Sequence, residues 1–350
     1  ACELLTEKKK TFQISGCAPW IFANATGRGY YRVSYESEAN RNIAAAAEAS
    51  LTPEERISFL NDSWAMVSVG RQSIADFLNI VAAMKSDRTR AVVEAMLEPF
   101  THIHDLVVSP ADKPAFEAWT RQLLRPLAQE FGSTAKPGDS DEIRQLRAVV
   151  LRTLGHAGND PEVVTQARLL TEAYMKDPDS VDPTALPDAM ALAASHGDTA
   201  LYEKFRGRMK NARTPDAFYT YLRNLGNFPD PDLAVRTAQL FLSPEVKGQD
   251  VYLIFGVLSN PYTQKAGWEF VKSHFTELRD KLGAELGGGF ASIANVFCDE
   301  MLRDDSQKFL ADQKIPGSQR ELGNARERVN GCIDLRNLQQ SNLGEFLKAR

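Results

Sequence analysis

The sequence predicts a mainly α fold: a curved α-solenoid of antiparallel helix pairs, HEAT- or armadillo-like, behind a short N-terminal β segment. Three observations predict it. Helix-start signals recur from Ala39 to the C-terminus, the middle of the chain is quasi-repetitive, and period-2 patterning is confined to the N-terminal residues. The expected division is residues 1–36, as the last strands of a β-sandwich, and residues 37–350, as the helical-repeat domain.

The β expectation rests on Asn24-Ala-Thr-Gly-Arg-Gly-Tyr-Tyr-Arg-Val-Ser-Tyr35. Tyr31, Val33 and Tyr35 alternate with Tyr30, Arg32 and Ser34, as in a half-buried strand. Gly27 and Gly29 ahead of it can take positive φ in a turn. Thr11-Phe-Gln-Ile14 and Trp20-Ile-Phe22 add two short apolar pieces. About three strands cannot close a sandwich of their own.

Helices follow. Thr52-Pro-Glu-Glu55 offers an N-cap, a Pro at the first helical position and a capping-box Glu. The same polar-residue-plus-Pro device recurs at Ser109-Pro110, Asp160-Pro161, Asp182-Pro183, Thr214-Pro215, Asp230-Pro231, Ser243-Pro244 and Asn260-Pro261. Four units then read as helix, polar turn and returning helix: Leu146–Tyr174, Ala189–Met209, Phe218–Leu242 and Val251–Leu278. Their spacing of about 30 to 40 residues is that of stacked helical repeats. A Gly-rich break at Gly287-Gly-Gly289 precedes closing helices at Phe290–Met301 and from Gln319 onward, the last read as a capping helix.

Composition narrows the function. A net charge of −5 argues against a nucleic-acid partner, and the one basic run, Lys8-Lys-Lys10, is short. No apolar run approaches the roughly 20 residues of a bilayer span. The first residue is Ala, not Met, and no signal-peptide form follows, so a processed or truncated chain is expected. Cys2, Cys17, Cys298 and Cys332 are scattered and read as ordinary thiols, neither a zinc set nor a disulfide framework. The compartment stays open.

Reaction chemistry is hard to find. His102 and His104 stand two apart, a spacing that does not share a helix face. His156 and His196 read as polar turn residues. No H-E-x-x-H or G-x-S-x-G sequence occurs, and Gly287–Gly289 lacks the strand and the Lys-Ser/Thr of a phosphate loop. Asp139, Asp141 and Glu142 read as a solvated loop. Trp64, Phe77, Trp119, Tyr219, Phe255 and Trp268 read as core. The chain thus reads as a binding or scaffold module with no metal site, catalytic residue or cofactor of its own.

Asn24-x-x-x-x-Gly29-Tyr-Tyr31-Arg-Val-x-Tyr35 resembles the junction between the β-sandwich and the C-terminal helical domain in the zinc aminopeptidases of the aminopeptidase N family. Leu51-Thr-Pro-Glu-Glu-Arg-Ile-Ser-Phe-Leu-Asn-Asp62, with Trp64-Ala-Met and Val69-Gly70, resembles that family's first helix pair. Asn260-Pro261 with Gly267-Trp268-Glu-Phe270-Val, and the run from Arg320 to Leu338, extend the likeness over nearly the whole chain.

The resemblance implies a non-catalytic C-terminal domain of an enzyme that removes N-terminal residues from peptides. Zinc would sit on an H-E-x-x-H in a catalytic domain outside this chain. The implied partners are the catalytic and β-sandwich domains of the same polypeptide, with a peptide as substrate. The helical part would form a concave cap that limits access to the active site. A peptide's C-terminal carboxylate suits a guanidinium fork. Arg223, one turn after Tyr219 near the end of an inner helix, is the nominated contact, with Tyr219 beside it. The alternative is a stand-alone helical-repeat scaffold that binds protein partners.

Overall fold

The computed structural model describes residues 6–13, 16–283 and 288–350. Among them the fold is all-α. Ile14 of the first expected strand, Cys2 and Gly287 lie outside the described residues.

The expected N-terminal β segment is not seen among the described residues; a 3-10 turn, Ala25–Gly27, lies there and no ladder forms. Side chains take the amides that a ladder would use. Gly29 N donates to Asn24 Oδ1 at 2.8 Å, and Val33 N donates to Asp62 Oδ2 at 3.2 Å. Arg32 adds an ion pair to Asp62 at 3.0 Å. Ala23 N donates to the Tyr35 hydroxyl, and the Tyr31 hydroxyl donates to the Ala23 carbonyl. Gly27 takes positive φ as expected, whereas Gly29 is required for space. A Cβ on Gly29 would lie 2.2 Å from the Tyr31 ring and 2.8 Å from Asn24 Oδ1.

The first helices are α1 (Ser37–Ser50), α2 (Pro53–Ser68), α3 (Ile74–Ala83), α4 (Arg90–His102) and α5 (Lys113–Phe131). Thr52 caps α2 with a complete capping box: its hydroxyl accepts from Glu55 N while Glu55 accepts from Thr52 N. A π-helical turn, Ile103–Val107, ends α4, closed by a bond from Val108 N to Ile103 O at 2.9 Å. Arg56 on α2 and Asp87 before α4 form a buried ion pair at 2.8 Å.

The repeats follow as α6 (Asp141–His156), α7 (Pro161–Lys176), α8 (Leu186–Ser195), α9 (Thr199–Lys210), α10 (Pro215–Asn224), α11 (Pro231–Leu242), α12 (Phe255–Ser259), α13 (Gln264–Ser273) and α14 (Phe275–Leu282). Asp160, Thr214 and Asp230 accept the first amides of α7, α10 and α11, as their Pro neighbours predict. At Ser109, Asp182, Ser243 and Asn260 the same device opens a tight turn instead, and no α-helix starts at the Pro. Helix α7 packs along α8, α9 along α10, and α11 against α13. The single helix expected over 268–278 is two, broken at His274, whose ψ of 20 leaves the helical range.

Residues 290–301 also depart from expectation. A 3-10 stretch, Gly288–Val296, precedes α15 (Glu300–Asp312). The last helix, α16 (Ser318–Lys348), has 31 residues and is about 46 Å long at 1.5 Å per residue. It is more than a cap on its neighbour. Leu322, Ala325, Val329 and Ile333 join the core built from residues 174–333. Leu335, Leu343, Phe346 and Leu347 join the core built by α1–α6. One helix therefore spans both cores.

Two cysteines correct the sequence reading. Cys298 and Cys332 form a disulfide with Cα atoms 5.5 Å apart, tying α16 to the segment before α15. Nothing in their 34-residue separation marks the pair, because only the return of α16 brings them together. Cys17 is free and exposed.

Candidate functional site

Arg223 lies in the last turn of α10 with its side chain exposed. Among the described residues its guanidinium makes no ion pair. It stands over the Tyr219 ring, 5.8 Å from the centroid, close enough for a cation–π contact. Tyr219 is fixed from behind, since its hydroxyl donates to Asp250 Oδ2 at 2.7 Å. That bond and the Asp250 charge raise the Tyr219 phenol above its ordinary value, so it stays a neutral donor. Asp250 is buried, and Tyr252 beside it is exposed. The two nominated residues thus form one unit: a braced aromatic ring with a guanidinium over its face.

A cleft of about 490 Å³ lies between α5, α6, α7 and α8. Both of its arginines face carboxylates. Arg125 donates to Asp160 Oδ2 at 2.8 Å while Asp160 Oδ1 caps α7, and Arg152 faces Asp188 at 3.6 Å. Burial raises the Asp188 carboxyl above its ordinary value, against the opposing pull of Arg152.

The structure sorts the histidines. His102 packs edge-on to Trp64, and burial lowers its pKa. His196 caps α8, bonded to the Leu192 carbonyl and to Asn159, and burial lowers it too. His274 stacks on Phe270 at 4.1 Å. His156 is no idle turn residue: with His104 it holds the carboxylate of Asp105 between two rings. Burial alone would raise Asp105, but the bonds from His104 and His156 outweigh it and hold the carboxyl well below the usual range. Sequence spacing misses this group because 51 residues separate Asp105 from His156. Asp139, Asp141 and Glu142 do not converge. Asp139 pairs with Arg147, Asp141 with Arg144, and Glu142 with Arg90.

Known proteins settle the family. The ERAP1-like C-terminal domain matches residues 20–331. The chain belongs to that family. Aminopeptidase M1-A of Oryza sativa subsp. japonica is 26% identical, with 99% of this chain and 41% of the relative covered. Aminopeptidase 2, mitochondrial, of Saccharomyces cerevisiae is 23% identical over 99% of this chain and 37% of its own length. Puromycin-sensitive aminopeptidase of Caenorhabditis elegans is 23% identical over 80% of this chain and 30% of its own. The chain spans about two fifths or less of these relatives. The expectation of a C-terminal region from the aminopeptidase N family is thereby borne out.

Family membership gives the N-terminal motif a physical reading. Asn24 and Gly29 form one clasp and Asp62 with Val33 another, so the Asn…Gly-Tyr-Tyr-Arg-Val pattern and the Leu-Asn-Asp turn are two halves of a single joint.

Proposed function

We propose that this chain is the non-catalytic C-terminal domain of a zinc aminopeptidase that removes N-terminal residues from peptides. The family match across residues 20–331 carries the reading, and the relatives' printed names, all aminopeptidases, give the activity. No H-E-x-x-H occurs here. In this reading the zinc that polarises the scissile carbonyl is held by a catalytic domain elsewhere in the polypeptide. Residues 1–36 are then the end of a β-sandwich domain, and residues 37–350 a concave cap that limits access to the active site.

Within the cap, Arg223 and Tyr219 receive the distal end of the peptide. The exposed guanidinium, which has no ion-pair partner among the described residues, supports this, as does the brace from Asp250 that fixes the ring beneath it. A carboxylate held by that fork contributes about 1.5 kcal/mol, near tenfold, because solvent screens it.

The test is Arg223→Ala in the full-length enzyme, assayed on peptides of increasing length with free or amidated C-termini. The expected result is a roughly tenfold loss of kcat/KM for long free-acid peptides, with aminoacyl-p-nitroanilide turnover unchanged. Unchanged dependence on length and on the terminal carboxylate removes Arg223 from the site.

A further inference from the structure

We propose that His104, Asp105 and His156 form a binding site for a divalent transition-metal ion of the zinc class, with Glu117 orienting the His104 ring. His104 Nδ1 lies 2.6 Å from Asp105 Oδ1. His156 Nε2 lies 2.9 Å from Asp105 Oδ2 and 3.1 Å from Oδ1. One donor atom from each residue falls within 4.8 Å of the others. Around an ion with bonds of about 2.0 to 2.2 Å, tetrahedral donors stand roughly 3.3 to 3.6 Å apart. The contacts of 2.6 and 2.9 Å to the Asp105 carboxylate are shorter than that range, so the donors part by up to about 1 Å as the ion enters.

The donor set fits the class. Two imidazole nitrogens and one carboxylate oxygen suit zinc and its neighbours in the first transition row, with a fourth position left for water. Calcium and magnesium, which take oxygen ligands, do not match it. Hydrogen bonds join one ring nitrogen of each histidine to the same carboxylate. A metal ion takes their place and bonds all three groups at once; each ligating nitrogen gives up its proton to solvent or to the other nitrogen of its ring, which in His104 faces Glu117.

The surroundings are built for the same purpose. The far nitrogen of His104, Nε2, faces Glu117 Oε1 at 3.3 Å. Glu117 Oε2 accepts from Asn159 Nδ2 at 3.3 Å, and Asn159 Oδ1 faces His196 Nε2 at 3.1 Å. A carboxylate on the distal ring nitrogen is the usual partner of a metal-bound histidine, since it fixes the tautomer and the ring plane. The ligands come from separate elements: His104 and Asp105 from the π-helical turn after α4, His156 from the last residue of α6. Such turns recur at functional sites. The His104 side chain is 8% exposed and His156 34%, so the site is sheltered yet open on the His156 side. A bound ion would staple the corner after α4 to the end of α6.

The 350-residue chain, stripped with a chelator and desalted, is titrated with cobalt(II) by visible absorption and with zinc by calorimetry. One equivalent is expected, with ligand-field bands of nitrogen and oxygen coordination and no sulfur charge-transfer band from Cys17. His104→Ala and His156→Ala should each weaken binding about 100-fold, and Glu117→Gln about tenfold. His274→Ala should leave it unchanged. Absence of a saturable equivalent overturns the proposal. So does uptake that survives both His104→Ala and His156→Ala, or a thiolate spectrum. Where circular dichroism shows either alanine variant unfolded, Asp105→Asn decides with both rings in place: lost affinity supports the site, and retained affinity overturns it.

Discussion

Gln339 in the last helix accepts the backbone N–H of Ile74 at 2.9 Å, across 265 residues of sequence. Its Nε2 donates to the carbonyls of Val67 and Gln72 at 2.9 and 3.0 Å. One buried amide thus satisfies three backbone groups in the α2–α3 corner. Asn342 extends the seam by accepting from Ala75 N at 3.1 Å. An open solenoid has no such contact, because each repeat touches only its neighbours. Here α16 returns to the first helices and joins the two cores.

Gln339→Leu keeps the volume but takes the side-chain partner from Ile74 N and Gln72 O, while Val67 O keeps its bond from Gly70 N. Unsatisfied buried polar groups cost about 1 to 3 kcal/mol, so a loss of about 2 kcal/mol is expected in urea unfolding. A midpoint unchanged from wild type would mean that packing alone holds the brace.

The Cys298–Cys332 bridge pins the other half of the same helix. Closing a loop with a sequence separation of 34 residues stabilises by up to about 4 kcal/mol in the chain-entropy account. Thermal melts with and without reductant should show the difference, and the Cys298→Ser, Cys332→Ser double variant should melt like the reduced protein. A double variant that still responded to reductant would place the effect elsewhere.

Much of this architecture is legible in sequence, and the unread parts share one cause. Thr52, Asp160, Thr214 and Asp230 announce their helices because capping is decided within four residues. The disulfide, the Gln339 seam and the His104–Asp105–His156 group depend on which distant segments meet, and local spacing carries no trace of that. Tyr30–Tyr35 failed in the opposite way. Its alternation is real, but a strand is made by a partner's backbone, and the amides of Gly29 and Val33 instead go to the side chains of Asn24 and Asp62. Arg223 and Tyr219, nominated from spacing one helical turn apart, do stand together.

That substitution of side chains for a ladder makes Asp62 the anchor of the N-terminal segment. It is buried and accepts from both Arg32 and Val33 N. Asp62→Ala removes both bonds and should cost about 2 kcal/mol, since one donor is charged. Hydrogen exchange at residues 29–35 should speed up well ahead of the α3 and α4 amides. Uniform acceleration through α4 would instead mean that the clasp belongs to the first core and not to a local joint.

Asp188 gives the pH prediction. Burial raises its carboxyl above the ordinary 3.8, and Arg152 opposes this weakly, from 3.6 Å with a side chain 53% exposed. A carboxyl raised on folding binds its proton more tightly in the native state. The native protein therefore holds more protons than the unfolded chain between 3.8 and the raised value, and stability falls as pH rises through that window. At neutral pH the ionised Asp188 is a net cost. Asp188→Asn keeps the shape without the charge, so it should melt no lower than wild type at pH 7. Its margin should shrink as pH falls toward 3.8, where the wild-type carboxyl takes up its proton in both states. Melts of the two proteins from pH 3 to pH 8 decide it: a variant clearly less stable than wild type at pH 7 would mean that the Arg152 contact outweighs desolvation.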